Sequence, residues 1–207
     1  MCPRISVTMR GLIISRMNKK QFWNDGYNEG VKYRQISDED ISRIVAVVPS
    51  TAKTVLDIGC GDGELARQLH AAGFMVTGID LSDVAIDMAR ELSSKEITFK
   101  QLDIEKSDLD ELGTFDIVSM KLVFAFIQNK GEVIEKIKNL LNIGGILVII
   151  NPVIVNKSMA SEKARRISVD EDITMSIENF GFTFVSRTAT PLSNYHELAT
   201  YVFHRHK

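Results

Sequence analysis

The segment Thr54-Val55-Leu56-Asp57-Ile58-Gly59-Cys60-Gly61-Asp62-Gly63 constrains the fold more than any other stretch of this chain. An apolar run enters a loop with glycine at alternate positions. After a helix-length interval a second apolar run, Val76-Thr77-Gly78-Ile79-Asp80, ends on a carboxylate. Strand, glycine loop, helix, strand and terminal acid together describe half of a nucleotide-binding site built on a βαβ unit. Without Cβ atoms, Gly59, Gly61 and Gly63 allow positive φ and a close backbone approach, so the loop's N–H groups are the expected ligand contacts. Asp80 follows Gly59 by 21 residues, near the spacing at which a strand-terminal carboxylate accepts hydrogen bonds from two ribose hydroxyls and repels a 2′-phosphate.

The loop also discriminates between adenosine-containing cofactors. A dinucleotide fingerprint reads G-x-G-x-x-G/A, whereas this one reads G-x-G-x-G, with Asp57 two residues ahead and Glu64 where glycine or alanine is expected. Asp57 and Asp62 would crowd a pyrophosphate at the helix N-terminus with like charge, against the anion preference of such a terminus. A ligand carrying an ammonium and no phosphate, as S-adenosyl-L-methionine does, fits better. An NAD-dependent oxidoreductase shares the strand-loop-strand-acid unit and is the first alternative. A non-catalytic adenosyl-cofactor-binding module is the second.

These residues resemble the class I S-adenosylmethionine-dependent methyltransferases, in a small single-domain form. Val55 to Gly63 looks like their first motif, Ile79-Asp80 like the second, Gln101-Leu102-Asp103-Ile104 like the acid-bearing turn after the third strand, and Phe115-Asp116-Ile117-Val118-Ser119 like the fourth strand. The likeness is dense from Thr54 to Ile150. It implies that Asp57 and the backbone of Gly59, Cys60 and Gly61 face the methionyl end, Asp80 the ribose and Asp103 the adenine amino group. Leu81 and Ile104 would sandwich the ring, and Lys121 would touch the cofactor from the end of the fourth strand. Two departures stand out. The family's Leu-x-Pro-Gly-Gly turn is Leu141-Asn142-Ile143-Gly144-Gly145 here, and a polar or histidine pair after the fourth strand is Ala125-Phe126, which makes the acceptor pocket more apolar and removes a base.

The 207 residues, 44% of them apolar, suit one α/β domain over residues 37–207, preceded by a tail and lid segment over 1–36. With 25 basic and 27 acidic residues the net charge is −2, so no global field favours nucleic acid or an anionic membrane. Cys2 and Cys60 make neither a disulfide framework nor a zinc site, and a reducing cytoplasmic setting is expected. Cys60 reads as a small loop residue, since displacement at a sulfonium needs no thiol nucleophile. No apolar run approaches the roughly 20 residues a membrane span requires. Residues 1–16, rich in arginine ahead of Met17-Asn18-Lys19-Lys20, read as a tail or an extension before the natural start.

Periodicity predicts a helix capped at Ser37 and ending near Pro49, strands at Val55–Ile58, Met75–Ile79, Ile97–Gln101, Phe115–Ser119 and Ile146–Ile150, and helices between them. Such alternation implies a Rossmann-like, mostly parallel sheet with helices on both faces. A helix from Val169 to Phe180 and two runs, Phe182–Thr188 and Ala199–His204, complete seven strands, the last antiparallel.

The acceptor is expected to be a small molecule, because the chain has no recognition domain and no basic-aromatic interleaving. Phe22, Trp23, Tyr27 and Tyr33 form a glycine-interrupted aromatic stretch that either lids the cofactor or anchors the N-terminal arm. Trp23, Tyr33, Phe126 and Tyr195 are the acceptor-side candidates. His196, in the last link, is the one candidate base, set against a plain surface-loop histidine. Lys157, Lys163, Arg165 and Arg166 form either a patch for an acidic acceptor or a solvated face. Asn151-Pro152 follows the fifth strand, so it is not the Asn-Pro-Pro-Tyr element of amino-methyltransferases. No residue pattern fixes an oligomeric state.

Overall fold

The computed structural model describes residues 18–31, 33, 37–156, 158–160, 167–169 and 171–206. The expected tail over residues 1–16 and the basic residues Lys157, Lys163, Arg165 and Arg166 lie outside them. Helices α1 (Lys19–Asn28) and α2 (Asp38–Val47) precede β1 (Thr54–Ile58), α3 (Glu64–Ala71), β2 (Met75–Asp80), α4 (Asp83–Leu92), β3 (Thr98–Gln101) and β4 (Phe115–Lys121). There follow α5 (Lys130–Leu140), β5 (Leu141–Ile154), the short α6 (Glu171–Met175), β6 (Phe182–Ser193) and β7 (His196–Arg205).

The seven strands lie in the order β3-β2-β1-β4-β5-β7-β6, parallel except that β7 runs antiparallel to both neighbours. Strand order reverses between β1 and β4, which puts a crevice at their carboxyl ends, the usual ligand position in open α/β sheets. The central strands are apolar toward both faces, as parallel strands covered on both sides must be. Leu56, Ile58, Val118 and Met120 face a core shared with α5. Val55, Ile117 and Val148 face the other core, with Leu65 and Leu69 of α3 and Ile86 of α4. Ser82 caps α4 by accepting from the N–H of Ala85 at 3.0 Å, and the second strand therefore ends where its carboxylate is needed.

Four boundaries differ from the sequence reading. The aromatic stretch at the N-terminus is a helix, with Gly26 buried on it instead of breaking it, and Asn18 caps it by accepting from Lys20 N–H at 3.1 Å. Gly144-Gly145 does not end a turn; it lies inside β5, where the register against β4 shifts between Phe115 and Ile117. Pro191 is strand rather than link: it sits opposite Glu197 on the outermost strand, where a missing N–H costs no ladder bond. Val169 is a lone parallel bridge to Val153, so the helix expected from Val169 to Phe180 shrinks to α6 and a 3-10 turn at Ser176–Phe180. Among the described residues no helix is long and apolar enough to cross a membrane.

Candidate active site

The carboxyl edge of the sheet opens into a cavity of about 890 Å³ whose walls come from α1, the β1–α3 loop, the tips of β2 to β5 and the β6–β7 hairpin. The volume is at the upper end of the usual range for small-molecule sites.

Gly59 (φ +67°) and Gly61 (φ +56°) hold the loop in the left-handed region. A Cβ on Gly61 would stand 2.5 Å from Tyr27 Oη, and one on Gly59 2.2 Å from Val123 Cγ2. Four of the loop's N–H donors, expected from the sequence to face the ligand, bond within the fold. Gly59 and Cys60 N–H donate to Ile79 O at 2.7 and 3.0 Å, Gly63 N–H to Cys60 O at 3.0 Å, and Gly61 N–H to Asp80 Oδ2 at 3.0 Å. A phosphate cradle needs such N–H groups turned outward.

Carboxylates surround the same loop. Asp80 is 8% exposed on the cavity wall, and its Oδ1 accepts from Ser82 N–H at 2.8 Å. Burial raises its pKa, while the N–H bonds from Ser82, Gly61 and Leu81 oppose the rise. Asp57 lies beneath the wall at 1% exposure, on the same strand face as Val55. Its Oδ1 accepts from Ser119 Oγ at 2.9 Å, and its Oδ2 has no partner among the described residues. Burial pushes Asp57 up to about 7, tempered by the Ser119 bond and Lys121 and reinforced by Glu64 and Asp80. A buried carboxylate with one unpartnered oxygen below an acidic loop suits a nearby cation. Glu64 and Lys121 pair on the wall above it.

Leu81, Asp103 and Ile104 line the cavity near the tips of β2 and β3. Asp103 is held by Ser107 Oγ donating to neither oxygen but accepting from its N–H at 2.9 Å, while Asp103 Oδ1 accepts from Glu105 N–H at 2.9 Å. Cys60 is buried in the loop, and burial with Asp57 and Asp80 nearby raises its thiol pKa, which leaves it a poor nucleophile.

Helix α1 covers the opening. Lys19 pairs with Glu105, Lys20 with Asp83 at 3.0 Å, and Asn24 joins Ser82 Oγ at 2.7 Å and Asp83 Oδ1 at 2.6 Å. Trp23 and Tyr27, one turn apart, face inward with Tyr33 and Phe126. Ring centroids are 5.1 Å apart for Trp23–Phe126, 6.0 Å for Trp23–Tyr33 and 5.3 Å for Tyr27–Tyr33. Burial, with Asp80 adding to it, raises the pKa of the Tyr27 phenol.

Every cofactor-side residue expected from sequence except Asp57 reaches the cavity wall, as do Trp23, Tyr33 and Phe126. Tyr195 and His196 do not. They stack on each other at 4.9 Å at the hairpin tip, and His196 Nδ1 lies 2.7 Å from Ser193 Oγ. Strand alternation turns Leu192 and Leu198 inward in their place. Sequence reasoning missed Glu64, Glu105 and Lys19. Glu105 had a signal, two residues past the acid of the β3 turn, whereas an acid such as Glu64 in a helix's first turn is too common to mark a site.

The family model described as a methyltransferase domain matches residues 49–192. A ubiquinone biosynthesis O-methyltransferase from Paraburkholderia xenovorans is 32% identical over 127 residues, which cover 59% of this chain and 54% of that protein. The chain thus spans about half the length of the curated relatives it matches. Among solved structures, magnesium protoporphyrin IX methyltransferase from Synechocystis PCC 6803 with bound SAH superposes with a TM-score of 0.67 at 17% identity, covering 90% of this chain and 98% of that one. A 4+2 cyclase superposes at 0.68 and 16% identity, covering 82% and 80%. Those two likenesses concern the fold, and the family match adds the domain type: the chain belongs to the class I S-adenosylmethionine-dependent methyltransferases.

Proposed function

We propose that this chain transfers the methyl group of S-adenosylmethionine to a small molecule with a flat apolar body. The observation that carries the donor half is the glycine loop, whose amides are internally bonded while Asp57, Asp62, Glu64 and Asp80 gather around it. That arrangement disfavours a pyrophosphate and favours a ligand with positive charge and an unphosphorylated ribose.

When bound, the donor supplies a methyl carbon activated by sulfonium, which a nucleophile displaces in line. Asp80 would accept from the ribose hydroxyls with lone pairs beyond those used by Gly61 and Ser82, and Leu81 and Ile104 would hold the adenine between apolar surfaces. Trp23, Tyr33, Phe126 and Ile127 would fix the acceptor's plane and exclude water, so orientation supplies much of the rate. The described walls carry carboxylates and phenols but no histidine, which favours an acceptor whose attacking atom is already deprotonated or acidic enough to become so. The names of the curated relatives point to oxygen as that atom, and the flat aromatic walls make small phenols the first class to screen. A cytoplasmic setting fits Cys60, a buried free thiol.

The test follows radiolabelled methyl from the donor into separate pools of small phenols, amines, RNA and protein. Label should enter a ring-bearing small molecule, and transfer to RNA or protein alone would contradict the acceptor half.

A further inference from the structure

The cavity wall carries two lysines among the described residues, Lys121 beside the glycine loop and Lys19 on α1. Lys121 stands among Asp62, Glu64 and Asp80, with Asp57 beneath. Lys19 stands where positive charge is in excess. It pairs with Glu105, both side chains 16% exposed, and donates to Phe126 O at 3.4 Å. Two more ammoniums converge on the same turn after β3. Lys130, the first residue of α5, donates to Ile127 O at 2.7 Å and lies 5.5 Å from the centroid of the Phe124 ring. Lys136, further along α5, donates to Ile104 O at 3.2 Å and Glu105 O at 2.9 Å. Neither Lys130 nor Lys136 forms an ion pair with a described residue.

Glu105 has no capacity left for them. Lys19 donates to its Oε2, and the N–H groups of Gln128 and Asn129 donate to its Oε1 at 2.9 and 3.3 Å. Against its burial, these bonds hold the carboxyl below the ordinary range. Even with Asp103 counted, Lys19, Lys130 and Lys136 outnumber the carboxylates of this turn. Burial pulls the pKa of Lys130 down, with Glu105 resisting and Lys19 adding to the fall, and a cation at a helix N-terminus also works against the helix field. The fold thus keeps a half-buried ammonium without a counter-ion directly behind Ile127, a wall residue.

Donor capacity remains there. An ammonium offers three N–H donors; Lys19 uses one on Glu105 and one on Phe126 O, and Lys130 uses one on Ile127 O. Lys19 lies one turn ahead of Trp23 on α1, so the two share a helix face with Cβ atoms about 5–6 Å apart. Phe126, whose carbonyl Lys19 touches, is also the residue whose ring meets Trp23. A flat body resting on Trp23 and Phe126 therefore brings a substituent within reach of Lys19 Nζ.

We infer that the acceptor's ring carries a carboxylate, which Lys19 binds directly and Lys130 attracts from behind the wall. The anion joins the pair of Lys19 and Glu105 without displacing Glu105, and it supplies the counter-charge that Lys130 lacks. A cationic donor and an anionic acceptor then occupy one cavity, each at the end of opposite charge. The inference rests on the flat-bodied acceptor proposed above, and the experiment separates their failures.

Trp23 is the chain's one tryptophan, so its fluorescence reports ligands at this wall. In the presence of S-adenosylhomocysteine, the chain is titrated with hydrocinnamate and with para-hydroxyphenylacetate, each beside its primary amide, which keeps the shape and loses the charge. Each acid should bind about tenfold or more tightly than its amide, the size expected of one charge-assisted contact. The double substitution Lys19→Met with Glu105→Gln removes one charge of each sign and should bring that preference to within about threefold, with amide affinity moving less than about twofold. Lys130→Met, which breaks no ion pair, should reduce the preference about threefold, and it decides the matter if the double variant loses every ligand because α1 no longer docks. Wild-type protein that binds neither acids nor amides overturns the flat-bodied acceptor and the carboxylate site together. Amides that bind as tightly as the acids, or a preference that survives unchanged in the variants, overturn the carboxylate site alone.

Discussion

The two ends of the cavity are built differently. At the proposed cofactor end, Asp57, Gly59 to Gly61, Asp80, Leu81, Asp103 and Ile104 come from strand tips adjacent in the sheet and within about fifty residues of sequence, and polar groups there are fixed by backbone bonds. At the proposed acceptor end, Trp23, Tyr33, Phe126, Leu192 and Leu198 come from a helix, two loops and a hairpin far apart in the chain, and aromatic edges meet with few hydrogen bonds. One end is a rigid frame of hydrogen-bonded backbone; the other is a packed surface whose shape depends on how α1 docks. Substitutions at the first should act on donor binding and stability together, and those at the second on acceptor binding alone.

Asp80→Ala tests the rigid end hardest. It removes the proposed ribose acceptor and leaves the N–H groups of Gly61 and Ser82 without their bonds, each such loss costing about 1–3 kcal/mol. Affinity for S-adenosylhomocysteine should fall by about 100-fold or more, with a clear drop in Tm.

Asp57→Asn separates stability from binding. The folded pKa, near 7, lies above the ordinary carboxylate value, so between about pH 4 and 7 the folded state holds a proton the unfolded state has lost. Stability from this group is therefore present at low pH and declines as pH rises through that window. The asparagine variant should flatten the pH dependence of Tm and melt about 5 °C higher than wild type at pH 8, Asp80 keeping some of the slope. Donor affinity should meanwhile fall about tenfold, because the negative charge beneath the ligand is gone. A variant that changed neither would remove Asp57 from both arguments.

Much of the rigid end was legible in the sequence because its geometry is local: glycine spacing, a strand-ending acid and a capping Ser82 each act within a few residues. The use of the loop amides was not, since whether Gly59 and Cys60 donate to a ligand or to Ile79 depends on β2 packing alongside. The packed end was legible only in residue type. Trp23, Tyr33 and Phe126 could be named as aromatic, but their meeting depends on α1 docking through Lys19–Glu105 and Asn24–Ser82, pairs separated by 86 and 58 positions. For Tyr195 and His196, the hairpin arms extend five residues past Thr188 and three before Ala199, which decides which side chains turn inward, and periodicity could not fix strand ends around Pro191.

Trp23→Ala and Phe126→Ala therefore belong to the packed end. Each should raise the acceptor's KM by about 3- to 10-fold, in keeping with the loss of an aromatic pair, and leave donor affinity within about twofold. Equal loss of donor affinity would show that α1 forms part of the cofactor frame instead. The smallest effect is expected of His196→Ala: with the imidazole outside the cavity wall, kcat, KM and their pH profiles should stay within about twofold of wild type.

The central claim is that the engaged amides and clustered carboxylates of the first loop select a phosphate-free adenosyl cation or its thioether product. Calorimetric titration of the wild-type chain with S-adenosylmethionine and with NAD under identical conditions addresses it directly. One molecule of S-adenosylmethionine should bind per chain, with no heat from NAD at roughly tenfold higher concentration. NAD bound as tightly as the sulfonium would contradict the account.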